Sequence, residues 1–225
     1  LATGGNDNNT IDTCDIRDGA STPANGIYAE GTGSPTTKNN SGNIITNCNI
    51  FNFHRTTTVD AAGVRLTSGN TEWTLAGNSF YQTVSRAGVN AIVRAIYLSN
   101  TSDNSHTVTG NFIGGSAPNA GGTAWTTTGT TAAYTFQGIR LTVGNITPSS
   151  VQGNTVANVI WTSSSNATTL PGVWSGIYVS AGAVNIGTVT GNTIGNGTGN
   201  DSISVTTSGT GGTSFGIGSA GSSPV

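Results

Sequence analysis

The stretch GIYVSAGAVNIGTVTGNTIGNG, residues 176–197, has no charged residue and holds short runs of alternating apolar residues closed by glycine and asparagine. Its first half recurs as NGIYAEG, AGVRLTSG, RAIYLSN, QGIRLTVG and FGIGSAG, led by Gly26, Gly63, Ala95, Gly138 and Gly216. Its second half, TVTGNTI, recurs as TIDTCDI, IITNCNI, TLAGNSF, TVTGNFI and SVQGNTV, which puts Cys14, Cys48, Asn78, Asn111, Asn154 and Asn192 in one column. The step from first to second anchor is 15 residues from Gly63 to Asn78 and 16 from Ala95, Gly138 and Gly176 to Asn111, Asn154 and Asn192. The return step varies from 12 residues (Cys14 to Gly26) to 27 (Asn111 to Gly138), so one half of each repeat is fixed and the other free.

Fixed segments of period-2 alternation, spaced 32 to 43 residues apart and broken by Gly and Asn turns, predict an all-β solenoid. Stacked strands about 4.8 Å apart would bring like residues into columns. The expected inward columns are Ile27, Val64, Ile96, Ile139, Ile177 and Ile217; Leu66, Leu98, Leu141 and Val179; Ile11, Ile45, Leu75, Val108, Val151 and Val189; and Ile16, Ile50, Phe80, Ile113, Val156 and Ile194. A β-sandwich would not keep six copies of one strand pair in phase. The polar composition alone would suit a disordered chain, but regularly spaced Ile and Val argue against that.

These motifs resemble the right-handed parallel β-helix repeat of pectate-lyase-like solenoids, and the resemblance spans essentially residues 1–225. The chain is most similar to modules of very large secreted, repetitive surface proteins of Gram-negative bacteria. That resemblance implies a single right-handed domain of about six coils with long variable loops, an extracellular or cell-surface location and no catalytic activity. It also implies an asparagine ladder at Asn78, Asn111, Asn154 and Asn192, with Cys14 and Cys48 replacing asparagine in the first two copies. The chain opens on Leu1, contains no Met, and neither end reads as a covering helix, so a longer parent with further coils or modules stacked on this one is expected.

The charged fraction is 7%, against the roughly 25% usual in globular domains, and the net charge is −2. Without a basic field, nucleic acid is not an expected partner, and without a long apolar run neither is membrane insertion. Stacked cysteines could be two thiols used as small fillers or a disulfide bridge. No further ligand stands at metal-binding spacing and His54 is isolated, so no metal or other cofactor is expected.

The residue after the inward Ile runs Tyr28, Arg65, Tyr97, Arg140 and Tyr178, then Gly218, and strand alternation points it outward. Such a row either covers a strand face or offers a strip to a glycan, with tyrosines two strands apart at about 9.6 Å, the scale of a disaccharide. Loops 114–137, 157–175 and 195–215 hold Trp125, Trp161 and Trp174, which either fold back over the coil or add glycan contacts. The rival enzymatic reading, a polysaccharide lyase or hydrolase, would rest on Asp7, Asp12, Asp15 and Asp18 beside Arg17, but the Asp, Gly-His and Arg-x-Lys signatures of pectin-degrading β-helices are missing. A third reading, an ice-binding threonine array, would use Thr10, Thr74, Thr107 and Thr188 with Thr46, Thr109 and Thr190; Ile44, Asp12, Ala76 and Gln152 break it.

Overall fold

The computed structural model describes residues 4–195 and 202–220. Asp201, one of the acids of the chain, lies outside them. The architecture is all-β with long parallel sheets, compatible with a β-solenoid, and the only helical piece among the described residues is a 3-10 turn at Thr36–Lys38.

Three six-stranded parallel sheets carry the repeat. The first contains Thr10–Asp12, Ile44–Thr46, Thr74–Ala76, Thr107–Thr109, Ser149–Gln152 and Val184–Ile186. The second contains Asp15–Ile16, Asn49–Phe51, Ser79–Tyr81, Phe112–Ile113, Thr155–Val156 and Thr193–Ile194. The third contains Asn25–Ala29, Ala61–Leu66, Ile92–Ser99, Thr135–Thr142, Trp174–Ala181 and Ser214–Ser219. In the third sheet Ile27 pairs with Val64, Val64 with Ile96, Ile96 with Ile139, Ile139 with Ile177 and Ile177 with Ile217. The four Ile and Val residues from Val64 to Ile177 are fully buried. Burying such side chains contributes about 1.5 to 3 kcal/mol each.

At two copies of this motif's head the neighbouring strand lies so close that only glycine fits, whereas the third copy accommodates Ala95 in the core. A Cβ on Gly63 would stand 2.7 Å from the Ala95 carbonyl oxygen and 2.5 Å from Phe80, and one on Gly138 would stand 2.5 Å from the Gly176 carbonyl oxygen. The turn between first and second sheets makes a different demand. Its leading residue takes positive φ at Gly77 (66°), Gly110 (62°) and Gly153 (63°), which explains the Gly-Asn pair of the motif. Thr13 and Asn47 adopt the same conformation at 53°, a strained one for a β-branched threonine.

The asparagine after that glycine is wholly buried at 78, 111 and 154 and satisfies the turn's backbone. Asn111 Nδ2 donates to Leu75 O at 2.9 Å and to Asn154 Oδ1 at 2.9 Å, and Asn111 Oδ1 accepts from the N–H and Nδ2 of Asn78, both at 3.0 Å. The same pattern runs from Asn154 to Asn192, and at the other end Asn78 Oδ1 accepts the Cys48 N–H. Cys48 Sγ lies 3.6 Å from Ile11 O, the place where an asparagine would donate. Both thiols are free, so no bridge forms; Cys48 is buried as a filler, whereas Cys14 is exposed and does not fill the core.

Two expectations need correction. The first-sheet partner of Val151 is Ile186, not Val189, which is 89% exposed. Gln152 causes the difference: its Oε1 accepts the N–H groups of Val189 and Thr190 while its Nε2 donates to Asn185 O, pinning residues 187–191 outside the sheet. Thr188 and Thr190 therefore leave the threonine rows, whose remaining partners are Ser150, Asn185 and Gln152. The second correction concerns the free halves of the repeats. Arg86–Ala87, Trp125–Thr128, Val159–Ser163 and Ile203–Thr207 form a fourth parallel sheet, with Trp125 pairing Val159 and Val159 pairing Ile203.

Removing the middle amide of the ladder strands the buried Asn78 N–H and Leu75 carbonyl at once. Each unsatisfied buried group costs about 1 to 3 kcal/mol. Asn111→Ala is thus expected to lower unfolding free energy by about 3 kcal/mol or more in denaturant titration, whereas Cys48→Asn, which restores the ladder donor toward Ile11 O, should change it by less than about 1 kcal/mol.

Candidate functional site

The outward row of the third sheet is a continuous stack. Tyr28 pairs in register with Arg65, Arg65 with Tyr97, Tyr97 with Arg140 and Arg140 with Tyr178. The Arg65 guanidinium lies 5.9 Å from the Tyr28 ring centroid and 5.6 Å from that of Tyr97; Arg140 lies 5.2 Å from Tyr97 and 5.6 Å from Tyr178. Each contact at this exposure contributes about 0.5 to 1 kcal/mol. A third guanidinium, Arg94, sits 4.3 Å from the Tyr97 centroid. Its side chain is 3% exposed and is held by Asp60 Oδ2 at 2.9 Å and by Gln137 Oε1 at 2.8 Å. The sequence reading missed Arg94, which stands three residues before Tyr97 and pairs in register with Gln137.

A row of hydroxyls flanks the stack. Ser99 Oγ donates to Tyr97 Oη at 2.8 Å, Thr142 and Ser180 hydroxyls lie 2.9 Å apart, and Thr67 Oγ1 lies 3.4 Å from Tyr28 Oη. At one end Tyr28 is 49% exposed and donates to Glu30 Oε2 at 2.6 Å. A cavity of about 260 Å³ opens there, lined among others by Asn9, Glu30, Asn40, Asn43 and Trp73. At the other end the row is closed. A Cβ on Gly218 would stand 2.3 Å from Leu170 Cδ2, so Leu170 fills the place of a sixth side chain, and Tyr178 is only 7% exposed.

Other candidates are placed differently. Trp125, Trp161 and Trp174 are buried, which removes them as surface contacts. They pack around Phe136 at centroid distances of 5.5, 5.2 and 5.6 Å, and the Trp161 indole donates to Tyr134 O. The first-copy acids are each engaged by the second copy: Asp7 accepts from Ser41, Asp12 from Asn47, Asp15 from Asn49 and Asp18 from Asn52. They form a row along one edge, not a facing pair. Among the described residues no group of three His, Cys, Asp or Glu could hold a metal ion, and no helix is long and apolar enough to cross a membrane.

A second amide row, unseen in the sequence reading, runs from Asn40 Nδ2 to Asn70 Oδ1 and from the Asn70 N–H to Asp103 Oδ2. Burial raises the Asp103 pKa to about 6 against the pull of its N–H donors. Burial likewise lowers His106 to about 4, where its Nδ1 accepts the Trp73 N–H, and lowers His54 to about 4 with help from the Arg86 charge. No family model, curated protein or solved structure matches this chain.

The signs oppose one another. The histidines' contribution is complete above their ordinary value of 6.5 and is lost as pH falls through about 4. Asp103's is complete below 3.8 and lost as pH rises through about 6. With two groups against one, stability should fall between pH 6.5 and 4, and His106→Gln, which keeps an acceptor for Trp73, should remove about 3 kcal/mol of that fall in denaturation curves at the two pH values.

Proposed function

We propose that the chain is a non-catalytic module of a secreted bacterial surface protein that extends the molecule and holds a glycan along the Tyr/Arg face of its third sheet. The observation that carries this reading is the five-membered stack from Tyr28 to Tyr178, whose Arg65 and Arg140 have no acidic partner among the described residues. A structural row would more cheaply be threonine or valine, which need no compensation for charge.

Six partners in each of three sheets support six coils, and the handedness of parallel crossovers supports a right-handed winding. Within this reading, further modules stack at the open edges. Ile217, on the last strand of the third sheet, is half exposed, and among the described residues nothing pairs with the far side of that strand. The non-catalytic assignment is supported by the acids: glycoside hydrolysis places two carboxyl groups across one bond, whereas Asp12, Asp15 and Asp18 are bonded to separate asparagines of the neighbouring copy.

The test is binding and turnover on the same polysaccharide panel. The protein should bind at least one glycan without releasing product, and Tyr97→Ser should weaken that binding at least tenfold with the fold retained. Release of oligosaccharide product, abolished by Asp15→Asn, would replace this reading with the enzymatic one.

A further inference from the structure

We propose that the Tyr/Arg face is selective for acidic glycans, with Arg65 and Arg140 each taking one carboxylate or sulfate of a chain that carries about one charge per disaccharide. This rests on the glycan-binding reading above and names its ligand class.

Charge is the first argument. Three guanidiniums, those of Arg65, Arg94 and Arg140, surround the Tyr97 ring, and only Arg94 has an ion-pair partner, Asp60. Two positive charges thus stand uncompensated, one on either side of Tyr97, on a chain whose net charge is −2. Arg65 Nε and Arg140 Nε are also shielded from solvent without a hydrogen-bond acceptor. Those two atoms are beyond the reach of a ligand, but an anion at the outer Nη atoms would supply the missing charge, and the planar arginine fork matches carboxylate and sulfate oxygens.

Access to the rings is the second. Tyr97 has guanidiniums at 4.3, 5.2 and 5.6 Å from its centroid, so its faces are taken and a pyranose cannot lie flat on them. What the row presents outward is N–H and O–H edges, flanked by the hydroxyls of Thr67, Ser99 and Thr142. That chemistry suits the charged and hydroxylated rim of an acidic sugar.

Spacing is the third. Arg65 and Arg140 are two strands apart, about 9.6 Å along the stack. DNA carries a charge about every 1.7 Å of its axis, and an extended acidic peptide advances about 3.4 Å per residue, so either would leave most of its charge unmet on two arginines. A glycan charged once per disaccharide meets both. Leu170 closes the row above Tyr178, which leaves Tyr28 as the open end, where the Glu30 carboxylate keeps the anionic groups of a chain on the Arg65 side.

The whole chain is titrated with hyaluronan hexasaccharide, which carries one carboxylate per disaccharide, keratan sulfate hexasaccharide, which carries about one sulfate per disaccharide and no carboxylate, neutral maltohexaose, hexa-aspartate and a short DNA duplex, at low salt and at high salt. One or both acidic sugars should bind at least tenfold more tightly than maltohexaose, hexa-aspartate or DNA, and salt should weaken them; which of the two binds separates carboxylate from sulfate recognition. Arg65→Gln and Arg140→Gln should each weaken binding about tenfold, Arg140→Lys by less, and Arg17→Gln not at all, with the folded state retained and melting temperatures lowered by only a few degrees through the lost cation–π contacts. Equal binding of maltohexaose, insensitive to both arginine changes, overturns the acidic assignment and leaves the glycan face standing. Equal binding of hexa-aspartate or DNA overturns the glycan class, and binding of none of the sugars overturns both readings.

Discussion

A turn taken at the same place in every pass of the chain leaves the same backbone groups unpaired in every pass, and this structure answers with one buried amide per pass. Asn78, Asn111 and Asn154 each serve a carbonyl in the preceding copy and an amide oxygen in the next, so no link of the ladder is complete without its neighbours. Buried donors and acceptors left single are costly, whereas a chain of paired amides also polarises along its length. The in-register columns of Ile, Val and Leu follow from this. Once the turns are aligned, the strands between them have no freedom to slip, because a one-residue shift would turn every inward side chain to solvent.

The departures from the repeat show how much that constraint tolerates. Cys48 keeps the position of the ladder amide, but its thiol lies 3.1 Å from Thr46 O and 3.6 Å from the ladder carbonyl of Ile11, so it meets that carbonyl only weakly, and burial pushes its pKa up. Gln152 goes further. By standing where the pattern favours threonine it gives two backbone N–H groups an acceptor outside the sheet, and Val189 loses its place in the core to Ile186. The step from Gly176 to Asn192 still spans 16 residues. A sequence alignment is therefore blind to the exchange.

What could be read in the sequence was whatever depends on identical residues recurring in phase: the parallel repeat of a strand pair, its inward columns apart from Val189, and the Tyr/Arg row to the residue. What could not be read depends on unlike residues sharing a column. In the fourth sheet Trp125 lies beside Val159 and Ile203, and Trp161 beside Val205, with no common side chain to mark the register. The available signal was the pair Val159 and Trp161, two residues apart and both buried, diluted by Ile160 between them and by the unequal lengths of the segments around the strand. Arg94 and the row from Asn40 through Asn70 to Asp103 were similarly hidden, since a column of Asn, Asn and Asp looks like ordinary turn chemistry until the copies are stacked.

A solenoid with so few charges makes each one more informative. Of the seven basic residues of the chain, three converge on one tyrosine ring. Coulomb repulsion between like charges would ordinarily select against such a grouping, and cation–π attraction offsets only part of it. Arg94 resolves its share inside the fold, by burial against Asp60 and Gln137. Arg65 and Arg140 lie in a row that faces outward, and neither has a counter-charge among the described residues. Their counter-charge is left to solution ions or to a ligand, and the stacking that spaces them two strands apart would set the spacing such a ligand must have.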